Sequence, residues 1–144
     1  MIEIRSPKTT AEWEAYYDLR YRILRQPWNQ PRSSAITPED RNAAHFALFE
    51  DHLLKAVARV DFMEKERKIQ VRFVAVEADV QGKGYGKKLM KAVEQFASEN
   101  NIPDIILEAR ENAVPFYLSL GYVLTNQGKL LFESIPHFWM EKKI

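Results

Sequence analysis

An apolar run, Val74-Ala75-Val76, leads into Gln81-Gly82-Lys83-Gly84-Tyr85-Gly86-Lys87, and a helix-periodic stretch begins there. A chain with that order must make a strand, a tight glycine turn and a helix in immediate succession. Glycines accept the positive φ that such a turn needs and let another group approach the backbone. The first N–H groups of the helix have no partner inside it, so they form an anion site. The anion such a site suits is a phosphate or pyrophosphate, which points to a nucleotide-like cofactor.

The spacing excludes the commoner phosphate loops. A dinucleotide-binding fingerprint reads G-x-G-x-x-G, whereas Lys87 stands where its third glycine belongs. A Walker loop has four residues between its glycines and ends in Lys-Ser/Thr. Here three residues separate Gly82 from Gly86, and Lys88 follows Lys87. A kinase loop fails on the same glycine, and neither His-Arg-Asp nor Asp-Phe-Gly occurs downstream.

The pattern that fits is Gln/Arg-x-x-Gly-x-Gly with Leu three residues on, filled by Gln81, Gly84, Gly86 and Leu89. A second pattern, Ala-x-x-Phe-Tyr-x-x-Leu-Gly-Phe/Tyr, is filled by Ala113, Phe116, Tyr117, Leu120, Gly121 and Tyr122. The two motifs occur in this order, joined by a helical and a strand pattern. Together they resemble the GCN5-related N-acetyltransferase (GNAT) superfamily, and the resemblance covers the whole chain. The stretches Leu19-Arg20-x-Arg22-Ile23-Leu24-Arg25-Gln26-Pro27-Trp28 and Ile135-Pro136-His137-x-x-Met140 are similar to those of a bacterial subgroup of uncharacterised acetyltransferases.

Composition bounds the rest. The chain has 144 residues, the size of one domain spanning 1–144, and 46% of them are apolar, which argues against disorder. A net charge of +1 is too balanced for a dedicated nucleic-acid binder. No 18-residue apolar run and no signal peptide is visible, so the expectation is a cytoplasmic protein without a membrane role. Cysteine is absent, which excludes disulfides, thiolate metal sites and a covalent Cys intermediate. His45, His52 and His137 lie far apart in sequence, and no metal is expected.

The periodicities predict a first strand at 2–4 and a helix opened by a capping box, Thr9 with Glu12, that stops before Pro27. Residues 26–41, with three prolines, predict a loop or a broken helix. Strands follow at 45–50 and 53–62 around a turn at Asp51-His52, then a charged tip at 64–68 and a strand at 69–76. Tyr85, Leu89, Val93 and Phe96 give the next helix its apolar face. A buried strand at 104–110, a short helix at 115–120 closed by Gly121, and strands at 130–132 and 137–140 complete the chain.

The resemblance implies an α+β fold: a mixed, mostly antiparallel sheet of six to seven strands, with two splayed parallel central strands and flanking helices. It implies acetyl-coenzyme A as cofactor and direct acetyl transfer to a primary amine of a small molecule. Backbone N–H groups from Gly82 to Lys87, through Lys83, Gly84, Tyr85 and Gly86, would hold the pyrophosphate, beside Gln81. Backbone groups of Val74, Ala75 and Val76 would hold the pantetheine arm and polarise the thioester. Tyr117 is the implied general acid, with Phe116 beside it. The family often bonds the pantetheine with an Asn at the slot filled by Arg110, so Arg110 or Asn112 takes that role here. Gln70 fills the usual position of the base, which leaves Glu108, His137 or a water chain. Trp28 and His45 are candidate substrate residues. The same motifs also fit a non-catalytic acyl-coenzyme A sensor, and the resemblance leaves a homodimer open.

Overall fold

The computed structural model of the chain describes residues 1–132 and 134–144. Its strands are β1 (Ile2–Arg5), β2 (Ala44–Glu50), β3 (Leu53–Met63), β4 (Lys68–Val76), β5 (Asp104–Arg110), β6 (Val123–Leu131) and β7 (Ile135–Lys143). The helices are α1 (Thr10–Leu24), α2 (Tyr85–Glu99) and α3 (Val114–Ser119). The strands form one seven-stranded sheet in the order β1-β2-β3-β4-β5-β7-β6. β4 and β5 are parallel, and β1–β2, β2–β3, β5–β7 and β6–β7 are antiparallel. This is the mixed, mostly antiparallel sheet with flanking helices that the resemblance implied. No helix among the described residues is long and apolar enough to cross a membrane.

The chain falls into two compact units, Met1–Asp61 with Phe73–Val93, and Phe62–Arg72 with Glu94–Ile144. In the first, α1 begins where its capping box predicts: the Thr9 side chain accepts the Glu12 N–H at 3.1 Å. Glu12 is held in turn by Arg5, with two bonds of 2.8 and 2.9 Å. The core face of α1 presents Tyr16 and Leu19 to Ala47, Phe49, Val57 and Ala75 of the sheet. Asp51 and His52 both take positive φ, as a two-residue hairpin turn demands. Between α1 and β2 the prolines break the chain into three 3-10 turns, Gln26–Trp28, Arg32–Ala35 and Pro38–Asn42.

Arg20 is placed unusually for an arginine on a helix. A surface or helix-end ion pair suits a helical arginine, but Arg20 lies one turn after Tyr16 on the core face and is fully buried. Arg22, by contrast, is partly exposed and pairs with Asp18 and Glu77.

β4 carries an irregularity that no turn residue announces. Phe73 adopts φ of 55°, left-handed backbone that costs a non-glycine residue about 1–3 kcal/mol.

In the second unit, the first residues of β4 pair with β5 from Lys68↔Asp104 to Val71↔Leu107. β5 pairs with β7 along its whole length. β6 and β7 are longer than the 130–132 and 137–140 that periodicity predicts. β6 is an edge strand with nearly every residue exposed and two register shifts against β7, so no face of it needs apolar alternation. Glu94 of α2 ties this unit together, accepting bonds from Tyr122 at 3.2 Å and Lys142 at 3.1 Å.

The cap gives a direct test of the first unit. Thr9→Ala is expected to lower unfolding free energy by about 1 kcal/mol, and Thr9→Ser to retain it. Urea denaturation with an unchanged slope checks this.

Candidate active site

The glycine stretch folds as its composition requires. Gly82 and Gly84 take φ of +80° and +87°, and a Cβ built on either would meet no protein atom within 4 Å. α2 starts at Tyr85, and the Gly84 carbonyl accepts its first bond, from the Lys88 N–H at 3.1 Å. The turn N–H groups are not all open: Lys83 N–H donates to the Val80 carbonyl at 3.2 Å. The exposed Gln81 side chain folds back, donating to the Val76 carbonyl at 3.0 Å and closing the loop on the end of β4. Tyr85 anchors the helix start by donating to Glu50 at 2.6 Å. Lys83, Lys87 and Lys88 are exposed.

Val74, Ala75 and Val76 continue the in-out alternation of β4, with Ala75 in the core. The strand end is clamped from two sides. Glu77 N–H donates to the Lys55 carbonyl at 2.8 Å, and the Glu77 carboxylate takes two bonds from Arg22, at 2.7 and 2.9 Å.

In the second unit, α3 carries Phe116 and Tyr117, whose rings meet edge-on at 5.0 Å. Tyr117 is 6% exposed. Burial pushes its phenol up, and no hydrogen bond or charge contributes to that shift. Asn112 is exposed in the 3-10 turn Glu111–Ala113 that leads into α3.

A strand, a left-handed glycine turn and the open start of a fifteen-residue helix fit a pyrophosphate. A buried phenol whose hydroxyl has no hydrogen bond among the described residues fits a proton donor. Residues 29–144 match the acetyltransferase (GNAT) domain family. The chain belongs to the GNAT family. It is 26% identical to the uncharacterized N-acetyltransferase YjcF of Bacillus subtilis (strain 168) over 129 residues, 90% of each chain. Its fold is similar to Escherichia coli ElaA, with a TM-score of 0.83, 20% identity and 99% of both chains covered. It is also similar to an aminoglycoside 6'-N-acetyltransferase complexed with coenzyme A, with a TM-score of 0.81, 16% identity, and 99% and 96% of the chains covered.

The candidate bases of this GNAT protein stand on one face of its β5–β7 ladder. Arg110 is opposite His137, and Glu108 is opposite Trp139. Side chains opposite each other, and those two residues apart, share a face. His137 Nδ1 lies 3.0 Å from the Ile135 carbonyl. A carbonyl only accepts, so the neutral ring carries its proton on Nδ1 and its lone pair on Nε2. Burial holds the imidazole below its ordinary value, helped by Arg110 and Lys129 and opposed by the Ile135 bond and Glu108. His137 is therefore a neutral ring with a basic nitrogen near neutral pH. Glu108 is engaged instead: it accepts the Lys129 N–H at 2.8 Å, and Lys129 Nζ is 3.8 Å away. Gly128 makes this seat available, since a Cβ there would run into the Glu108 carboxylate.

The two candidate substrate residues have unequal surroundings. Trp28 ends the first 3-10 turn, half-buried, and its carbonyl accepts from the Gln30 side chain at 3.2 Å. His45 uses both ring nitrogens internally, Nε2 against the Asp40 carbonyl and Nδ1 against the Tyr16 hydroxyl, each at 2.8 Å. Trp13 also meets its ring edge-on at 4.9 Å. Residues without a sequence signature surround it. Arg20 and Arg59 are fully buried and share the Asp40 carboxylate, at 2.9 and 3.2 Å. Burial pushes the Asp40 carboxyl up, but the Thr37 N–H with Arg20 and Arg59 outweighs it and holds the group below the usual range. The helical spacing from Tyr16 is the one sequence signal that points to Arg20.

His45, half-buried, and His137, buried, predict a pH dependence. Burial lowers both His45 and His137 in the folded protein, whereas unfolded they titrate near about 6.5. Their contribution to stability is complete above that pH. It is lost as pH falls toward the folded values, because the unfolded chain then binds more protons. Denaturation midpoints measured between about pH 7.5 and 5.5 are expected to decline, and His137→Asn to flatten part of the decline. A slope that His137→Asn leaves untouched would remove His137 from this account.

Proposed function

We propose that the chain transfers an acetyl group from acetyl-coenzyme A to the primary amine of a small molecule, directly, in a ternary complex. The observation that carries this reading is Tyr117, a buried phenol kept protonated by burial, with no hydrogen bond to its hydroxyl among the described residues. The cofactor supplies an acetyl thioester, in which the C–S bond breaks as the C–N bond to the amine forms. Gly82, Gly84 and the first N–H groups of α2 hold the pyrophosphate. Backbone groups of Val74–Val76 hold the arm, and an N–H there polarises the thioester carbonyl. His137 Nε2 takes the amine proton, directly or through water. The Tyr117 hydroxyl donates its proton to the departing sulfur. Glu108, tied to Lys129, tunes His137 rather than acting as the base itself.

Tyr117→Phe is expected to lower turnover by about 100-fold or more, with coenzyme A affinity unchanged in calorimetry. Equal turnover would remove Tyr117 from the mechanism. The wild-type rate, measured as thiol release over a panel of amines, is expected to fall only at pH values lower than the ordinary imidazole range of about 6.5, because burial lowers His137, and His137→Gln is expected to abolish that limb. Binding of acetyl-coenzyme A with no thiol release on any amine would favour the sensor. Gly84→Val places a β-branched residue at φ of +87° and in the approach to the backbone. Coenzyme A affinity is expected to fall at least about tenfold, the equivalent of 1.4 kcal/mol, and retained affinity would sink the phosphate assignment.

A further inference from the structure

We propose that Arg20, Asp40 and Arg59 form a positioning device that sets the backbone of β4 by gripping the ring of Phe73. This rests on the reading above that Val74–Val76 receive the thioester arm. Phe73 immediately precedes them, and its φ of 55° turns the strand where an extended residue would carry it straight on. An aromatic residue does not hold left-handed backbone unless its surroundings over-determine it.

Those surroundings are charged. The guanidinium carbon of Arg20 lies 4.4 Å from the Phe73 ring centroid, that of Arg59 4.9 Å, and that of Arg25 5.1 Å. All three fall within the reach of a cation–π contact, which strengthens when the cation is desolvated. Arg20 and Arg59 are fully desolvated. Neither is free to swing. Both bond the same Asp40 oxygen. Arg20 donates to the Ala35 carbonyl at 3.1 Å, while Arg59 donates to Thr37 Oγ1 at 2.7 Å and to Asp61 at 2.9 Å. Asp40 is itself fixed, its second oxygen accepting the Thr37 N–H at 2.8 Å.

Fixed cations make a fixed ring, and a fixed ring makes a fixed backbone. The dihedrals at Phe73 set the direction of the peptide groups that follow, so the grip aims the N–H groups of Val74–Val76. A second consequence follows from where the bonds come from. Ala35, Thr37 and Asp40 belong to the turns between α1 and β2, so the order of that segment and the aim of β4 are held by the same cluster.

A plain packing role and a positioning role respond differently to a change that keeps shape and alters charge distribution. Mono-, di- and trifluorophenylalanine placed at position 73 weaken the negative ring face step by step at nearly constant volume. The first readout needs no acceptor amine: the infrared carbonyl stretch of acetyl-coenzyme A carrying 13C in its acetyl group, bound to each variant. The polarising shift of that band is expected to shrink with each fluorine, while coenzyme A affinity stays within about twofold. Turnover should fall in the same order by about 2- to 30-fold, with the KM for acetyl-coenzyme A unchanged. Phe73→Trp should retain the shift and Phe73→Leu should lose it, both remaining folded by circular dichroism. A carbonyl frequency and rate independent of fluorine number would overturn the positioning role while leaving the proposed activity intact. Failure of the unmodified protein to bind acetyl-coenzyme A would overturn both.

Discussion

Two guanidinium groups share one buried carboxylate, and much of the first unit is arranged around that fact. Arg20 comes from α1, Arg59 from β3, and Asp40 from the last 3-10 turn before β2. An isolated buried charge is costly, and removal of one partner from such a set leaves the others uncompensated. The three elements are therefore obliged to meet in one geometry. The peripheral bonds follow from the same obligation. Thr37 offers both its N–H, to Asp40, and its hydroxyl, to Arg59. His45 takes the Asp40 carbonyl, and Tyr16 receives a bond from Arg20 at 3.3 Å while its hydroxyl lies 3.0 Å from the Ala58 carbonyl. A hydrophobic cluster of equal volume would be at least as stable on general grounds, so the polar cluster is better understood through the geometry it specifies.

The conformation of the glycine turn was legible because its geometry is written in residue types. Positive φ at 82 and 84 calls for glycine, and glycine is what stands there. The capping box at Thr9 and the hairpin turn at Asp51-His52 were legible for the same reason, since local geometry dictated the residue. Phe73 is the opposite case. Its positive φ is imposed by tertiary contacts, and an aromatic residue inside an alternating strand pattern announces only a strand. Arg20 shows a milder form of the problem. Its helical spacing places it on the core face, but charge normally argues for the surface, and the counter-charge lies twenty residues away. β6 escaped recognition because an exposed edge strand has no buried face to impose a period.

The roles proposed for the second unit set a different problem, that of keeping an acid and a base distinct at one pH. Tyr117 and His137 are both buried, and burial disfavours the charged form of each. For a phenol this means staying protonated; for an imidazole it means staying unprotonated. One physical cause thus suits the two side chains to the donor and acceptor roles proposed for them. The backbone completes the assignment, because the Ile135 carbonyl fixes the His137 proton on Nδ1. Glu108 would complicate this if it were free. Lys129 and the bare backbone of Gly128 keep its carboxylate occupied, so its negative charge acts on His137 at a distance.

Gln81, the polar residue that opens the glycine motif, is tied within the chain: its amide closes the loop onto the Val76 carbonyl. Glu77, one residue past the strand, is bonded through its N–H to Lys55 and through its carboxylate to Arg22. β4 is therefore fixed at its end by Gln81 and Glu77 and at its middle by the ring of Phe73. Between those points lie Val74 and Ala75, whose side chains do nothing distinctive. A strand segment that must present backbone to a ligand needs its peptide planes held from outside, because backbone groups cannot be tuned by substitution at their own position. The polar residues flanking β4 supply that restraint, which is why ordinary core side chains suffice along the segment proposed to receive the thioester.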